Sequence, residues 1–203
     1  EWNVSIETTE NEETTSREFF IKAKGHDAYA EALKPAKNKG EVFLFNDRQM
    51  WFYKNSLKKP VSIAARQKLS GQAANGDIAS THYARDYSAT LEKTVDFEGV
   101  KHHVLLLKAK GNNLTYDQIR YWISDKTKLA TQAEFLTLQG QVFKIGRLEY
   151  NNSLTLACKN IAFVSQLTII DAKFSQNKSV IKYAKPKIAD HPDAIFNINN
   201  ITR

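Results

Sequence analysis

The sequence predicts a mainly β fold with a few helices, a single domain over residues 1–203 built from consecutive antiparallel strands. Three observations predict it. From Tyr87 onward, runs of about ten residues alternate apolar with polar and are separated by short turns, the pattern of a meander in a curved sheet or barrel. Turn-forming residues such as Asn46-Asp47, Glu98-Gly99, Gly111-Asn112-Asn113 and Asp125-Lys126-Thr127 fall between the runs, and no break in composition marks a second domain. Several strands are apolar on both faces: Val42 and Leu44 oppose Phe43 and Phe45, and Phe52 opposes Trp51 and Tyr53. A sheet with one wet face does not need this, so the residue pattern predicts a cover for the second face, either the segment 61–87 or a ligand.

Composition narrows the class. A hydrophobic fraction of 42% with 11% aromatic residues supports a packed core and excludes a disordered chain. Lys and Arg outnumber Asp and Glu by 29 to 22. The positive charges are scattered, with small clusters at Lys34, Lys37, Lys39 and at Lys58, Lys59, which reads as a solvated basic surface. Nucleic-acid binding would need exposed rings interleaved with a basic stripe, and most rings fall in strands that read as buried. The single cysteine, Cys158, excludes an internal disulfide and a cysteine-rich metal site. It sits in an apolar run, which predicts a buried, inert thiol. No apolar stretch is long enough to span a membrane as a helix.

In chain order, Trp2 to Ile6 alternates as a strand and Glu7 to Ser16 reads as a polar loop. Arg17 to Lys24 places Phe19 and Ile21 on one face, and Ala28 to Leu33 is its partner. Val42–Phe45 and Met50–Tyr53 form a hairpin. Pro60, after Lys58-Lys59, predicts that the chain leaves the sheet. Ser62 to Leu69 is rich in helix formers, too short to stand without packing, and Gly71 to Ser80 is a small-residue segment suited to close approach or to movement. Tyr87 to Phe97 carries Tyr87, Leu91, Val95 and Phe97 on one face. Val100 to Lys110, Tyr116 to Ser124, Leu129 to Leu138 and Val142 to Tyr150 continue the meander. Leu154 to Val164, Leu167 to Phe174 and Val180 to Lys185 repeat it, and a helical turn follows Pro192.

Catalytic and metal motifs are missing: no phosphate loop, no HExxH, no G-x-S-x-G, no C-x-x-C. Adjacent His102 and His103 point to opposite faces of a strand and cannot chelate one ion together. Asp77, His82 and Asp86 with Ser80 are close enough in sequence for an acid–base set, but Asn75-Gly76-Asp77 reads first as a turn. A hydrolase built on these residues is therefore the weaker reading, and the chain is expected to have no catalytic residues and no cofactor.

The ordered set Gly40-Glu41-Val42-Phe43-Leu44, Met50-Trp51-Phe52-Tyr53, Lys58-Lys59, Ile63, Gln67, Leu69, Gly76-Asp77-Ile78 and Ala84-Arg85-Asp86-Tyr87 resembles the bacterial outer-membrane lipoprotein-sorting proteins, relatives of the LolA and LolB carriers. Asp193-Ala194-Ile195-Phe196-Asn197 is similar to the family's closing segment. The resemblance implies an open, strongly curved antiparallel sheet, an incomplete β-barrel, with a helical lid over its concave face formed by about 61–87. It further implies a non-enzymatic periplasmic carrier or chaperone for lipid or lipoprotein acyl chains in Gram-negative bacteria. Possible partners are an inner-membrane transporter and an outer-membrane acceptor, with peripheral membrane contact. Many relatives carry a Gly-Ser-Asp-Phe type sequence where this chain has Asn75-Gly76-Asp77-Ile78. The export signal and leading helix of the family are absent from this sequence, which opens on a strand. The cavity lining expected on this basis is Phe19, Ile21, Phe43, Phe45, Trp51, Tyr53, Ile63, Leu69, Ile78, Tyr83, Tyr87, Leu105, Leu107 and Trp122. Gly71 and Gly76 are the expected lid hinges, and Lys58 and Lys59 the expected contacts to head groups or an acidic partner. The alternative reading is an envelope interaction module whose interior is filled by its own side chains, with no lipid.

Overall fold

The computed structural model describes residues 1–47, 49–78 and 82–201. The first half of the chain gives β1 (Trp2–Glu10), β2 (Glu13–Lys24), β3 (Asp27–Lys34), β4 (Val42–Asn46), β5 (Gln49–Tyr53) and β6 (Val61–Ile63). The short β7 (Lys68–Ser70) and β8 (Ala73–Ala74), a 3-10 turn at Asn75–Ile78 and α1 (Tyr83–Asp86) follow. The second half gives β9 (Tyr87–Phe97), β10 (Val100–Ala109), β11 (Gln118–Ser124), β12 (Ala130–Leu136), β13 (Val142–Glu149), β14 (Asn152–Leu156), β15 (Lys159–Phe163), β16 (Gln166–Asp171) and β17 (Lys178–Ala184). Thirteen of these make one sheet in the order β6-β5-β4-β3-β2-β1-β17-β16-β13-β12-β11-β10-β9, every pairing antiparallel. Its two edges, β6 and β9, do not pair with each other, so the sheet stays open. Register shifts near Phe19, Leu105, Ile123 and Leu136 add local bends, which is how a sheet this wide curls around a core.

Five sequence expectations are corrected. Glu7 to Ser16 is not a loop: β1 and β2 run through it, favoured by the β-branched Thr8, Thr9, Thr14 and Thr15. Only Asn11 and Glu12, at φ of 51° and 69°, turn. The chain does not leave the sheet after Pro60. It adds β6 to β5 as an edge strand, where a proline just before the strand removes no ladder bond. Ser62 to Leu69 is not helical; it holds the ends of β6 and β7 around a turn, because Ile63 and Leu69 gain more by packing on the core than a lone helical turn would return. Helical structure between 61 and 87 is confined to the Asn75–Ile78 turn and α1. Glu92 is an extra residue in β9, since Leu91 pairs with Leu105 and Lys93 with Val104. The bulge puts Val95 and Phe97 on the face opposite Tyr87 and Leu91. Finally, Leu154 to Val164 is a hairpin, β14–β15, and Cys158 lies exposed at its tip rather than buried.

The two apolar faces of β4 and β5 have different covers. Directly opposed residues share a face: Phe43 with Phe52 and Phe45 with Met50 lie on the concave side, Val42 with Tyr53 and Leu44 with Trp51 on the convex side. The convex set is capped by the C-terminal turns Asp193–Phe196 and Ile198–Asn200, through Phe196, Ile198 and Ile201. Residues 64–78 and 82–86 lie across the concave side as a strap between edge β6 and edge β9. The second face thus needs no ligand.

Candidate functional site

The strap is tied down where it crosses the middle of the sheet. Thr8 of β1 and Ser179 of β17 bond each other at 3.0 Å, Thr8 reaches Ser70 Oγ at 3.0 Å, and Gln72 N–H donates to Ser179 Oγ at 2.9 Å. Gly71 sits in this knot at φ +53°; a Cβ there would collide with Thr8 Cγ2 and lie 2.7 Å from Ser179 Oγ, so no larger residue fits. Gly76 is buried in the 3-10 turn, its N–H donating to Ala65 O at 2.9 Å. Asp77 follows as the polar centre of the strap. Its carboxylate accepts from Ala74 N–H at 2.8 Å and from the Tyr116 hydroxyl at 2.9 Å. Burial pushes its pKa up to about 6, against the opposing pull of these bonds and of Lys144. Tyr183 Oη donates to the Asp77 carbonyl at 3.0 Å, and Tyr87 Oη to that of Tyr116 at 2.8 Å. Polar groups that would be costly unmade therefore fix the strap against β1, β17 and the 112–117 loop.

On one side of this strap the concave space is full. Phe19, Ile21, Phe43, Phe45, Tyr87 and Leu107 are buried in one contiguous core, with Ile63, Leu69 and Leu105 packed against it. The ring pairs Phe19–Phe43 at 5.9 Å and Phe43–Phe52 at 5.1 Å show how tightly this half interlocks. On the other side a cavity of about 360 Å³ remains. Its walls are β11–β13 and β16–β17, the strap residues Ile78, His82 and Tyr83, Trp2 of β1, and the hairpin residues Ala162 and Phe163. Aromatic rings dominate: Trp2 packs on Phe163 at 5.7 Å, and Tyr83 stands edge-on to Tyr121 at 5.2 Å. The volume falls in the ~300–1,000 Å³ span of small-molecule pockets.

Of the expected lining residues, Ile78 and Tyr83 line this cavity. Phe19, Ile21, Phe43, Phe45, Ile63, Leu69, Tyr87, Leu105 and Leu107 are concave but belong to the filled half. Three lie on the wrong face. Trp51 and Tyr53 point to the convex side under the C-terminal turns, and Trp122, which pairs with Val104, is one residue out of phase with the concave Ile119 and Tyr121. The residues missed, Trp2, Tyr121, Phe135, Leu167 and Tyr183 among them, had a usable signal: Tyr121 alternates with Ile119 and opposes Leu105 in the β10–β11 hairpin. Lys58 and Lys59 are exposed in the β5–β6 connection.

Asp77 and His82 both border the cavity, and Asp77 and Asp86 a smaller pocket beside it, but each is held by other partners. Asp77 is occupied by Tyr116 and Ala74, Asp86 is held by Arg85 at 2.7 and 2.8 Å, and His82 packs edge-on to His26 at 4.9 Å. Burial and the neighbouring Arg85 and His26 lower the His82 pKa. Ser80 lies outside the described residues. His102 faces Thr131 at 2.9 Å while His103 faces Asp125 at 3.0 Å, on opposite sides of β10.

An open antiparallel sheet, crossed by a strap and hollow under one half, is a LolA-like fold. The chain superposes on a LolA superfamily protein from Nitrosomonas europaea with a TM-score of 0.87 and 26% identity, covering 98% of this chain and 89% of that one. It is similar in fold to a putative outer membrane lipoprotein-sorting protein domain from Vibrio parahaemolyticus, with a TM-score of 0.81, 16% identity and coverage of 100% and 90%. A DUF1329 family protein from Desulfovibrio piger gives a TM-score of 0.80, 16% identity and coverage of 98% and 90%. A family model described as "-like: Uncharacterized protein" matches residues 24–203, and the chain belongs to that family, with a LolA-like fold. No curated protein matches the chain.

Proposed function

We propose that this protein is a non-enzymatic periplasmic carrier that holds the acyl chain of a lipid or lipoprotein in the cavity between the concave sheet, the strap and the β14–β15 hairpin. The observation that carries the reading is the cavity itself: about 360 Å³ walled largely by aromatic and aliphatic side chains beside a half of the same interior that is fully packed. Burying about ten methylenes there yields roughly 8 kcal/mol before the cost of ordering the chain. That is enough for uptake and low enough for release. The LolA-like fold and the lipoprotein-sorting name of the Vibrio relative support the cargo class, an inner-membrane donor, an outer-membrane acceptor and an envelope location. Among the described residues no helix is long and apolar enough to cross a membrane.

The proposal includes one domain over residues 1–203, Lys58 and Lys59 as head-group contacts, and Gly71 and Gly76 as the points about which the strap yields once the bonds to Ser179 and Ala65 that hold it shut are broken. The packed half is the observation that favours a second reading, an envelope interaction module without lipid. The deciding experiment measures uptake of a fluorescent fatty acid by the wild type and by Ala162→Trp. Ala162 is exposed at the cavity rim, so the indole narrows the space without disturbing the core. Uptake by the wild type that falls at least about tenfold in the variant is expected, from loss of buried apolar surface. Absence of uptake by the wild type would transfer the assignment to the interaction module.

A further inference from the structure

The β14–β15 hairpin stands outside the main sheet. The strands that flank it in sequence, β13 and β16, pair directly from Glu149 and Gln166 onward, so the hairpin is an insertion at the end of an intact ladder. Its base is fixed: Asn152 Nδ2 donates to Tyr183 O at 2.6 Å, and Asn151 N–H to Ser165 Oγ at 3.0 Å. Its tip is a two-residue turn with Ala157 and Cys158 at φ of 47° and 62°. Asn152 opposes Phe163, Leu154 opposes Ile161 and Leu156 opposes Lys159. With the two-residue period of a strand, Phe163, Ile161, Leu154 and Leu156 share one face. Phe163 is in the cavity wall, while Ile161 and Leu156 are 44% and 50% exposed. An apolar stripe therefore runs from the cavity to the hairpin tip.

Charge indicates what lies against it. From Tyr150 to Gln166 the single charged residue is Lys159, and residues 172–189 contain five lysines and no acid. Lys182 and Lys185 of that stretch are exposed next to Tyr183, where the hairpin base is fastened. Exposed aliphatic side chains with Lys159 on the same face, in a hairpin that carries no carboxylate from Asn151 to Ser165, match an anionic phospholipid surface.

We propose that the hairpin is a membrane-docking element, with Leu156 and Ile161 seated in the head-group boundary of an anionic bilayer and Lys159 against its phosphates. An acyl chain leaving that bilayer then follows the stripe to Phe163 and into the cavity. The inference rests on the acyl-carrier reading for its purpose, not for its surface.

Cys158, the single cysteine, supplies the readout. The protein labelled there with an environment-sensitive fluorophore, and unlabelled protein in parallel sedimentation, is mixed with vesicles of phosphatidylcholine alone or with added phosphatidylglycerol. A blue shift and co-sedimentation with the anionic vesicles, weakened by salt, are expected. Leu156→Asp combined with Ile161→Asp should weaken binding at least about tenfold, and Lys159→Glu about fivefold or more. Both variants should still bind fluorescent fatty acid added from solution with the wild-type affinity at equilibrium, because none of these residues lines the cavity, and only its transfer from vesicles should slow. Vesicle binding that is absent, equal on neutral vesicles or unchanged in the variants overturns the docking inference, while fatty-acid uptake keeps the carrier reading intact. A hairpin-dependent complex with an envelope protein but not with vesicles overturns it as well. Hairpin-dependent vesicle binding without any uptake supports the docking surface and removes the carrier reading.

Discussion

The two halves of the concave face are made by the same sheet with the same alternation, yet one is solid and the other hollow. Under β2–β5 the strap meets Phe19, Phe43 and Phe45, and their rings fill the space down to a gap of about 30 Å³ beside Phe45 and Met50. Under β11–β13 and β16 the opposing cover is the hairpin, which reaches inward with Ala162 and Phe163 and leaves about 360 Å³. Whether a stretch of the concave face becomes core or binding site is thus decided by the volume of what is laid over it.

Mutations can break or sharpen that contrast. The largest expected effect is Phe45→Ala, which opens a hole in the packed half and should cost about 3–5 kcal/mol in denaturant titrations. Leu167→Ala, in the partly exposed cavity wall, should cost less than about 2 kcal/mol and mainly alter fatty-acid affinity. Equal costs would mean that the hollow half is as tightly packed as the other.

Next is Asp77. Its folded pKa of about 6 lies above the ordinary carboxylate value of 3.8, so the folded state binds the proton more tightly. Stability should therefore rise as pH falls from about 6 towards 4, by up to about 3 kcal/mol relative to Asp77→Asn. Pairs such as Asp125 with Lys128, which hold a carboxyl near 2, act in the opposite direction and are common to both proteins, so the difference between the two pH profiles isolates Asp77. A flat difference would show that the strap is not anchored through a buried carboxylate.

The smallest effect belongs to the exposed corner at Lys58 and Lys59. Changing both to Glu should leave stability within about 0.5 kcal/mol. If it nevertheless abolished salt-sensitive transfer between vesicles, the head-group contact would sit at this corner and not at the hairpin.

The meander was legible because alternation is a local signal: Arg17 to Lys24, Met50 to Tyr53 and Val142 to Tyr150 appear as strands close to where they were expected. Face assignment was less legible, because it depends on register and cover. Trp51 and Tyr53 are as apolar as Phe43, and nothing local says that residues 193–201 fold back over them. One inserted residue, Glu92, exchanges the faces of half a strand, and periodicity alone does not reveal it. Ser62 to Leu69 misled because helix propensity is weak beside the packing of Ile63 and Leu69. The cavity itself was invisible in sequence: it is a deficit of volume between segments far apart in the chain, such as Trp2, Tyr83 and Phe163.

The bulge at Glu92 bears also on how these molecules behave in a crowd. A sheet that never closes keeps two raw borders, each a template on which a neighbour's strand can polymerise. One border, β6, is three residues long and begins behind Pro60. The other, β9, is eleven residues long, but the bulge breaks its straight run, Glu92 is clamped to Arg120 at 2.6 Å, and Lys93 and Asp96 add charge along it. The irregularity that overturned the face assignment in sequence also blunts the longer border of an unfinished barrel against strand-to-strand growth.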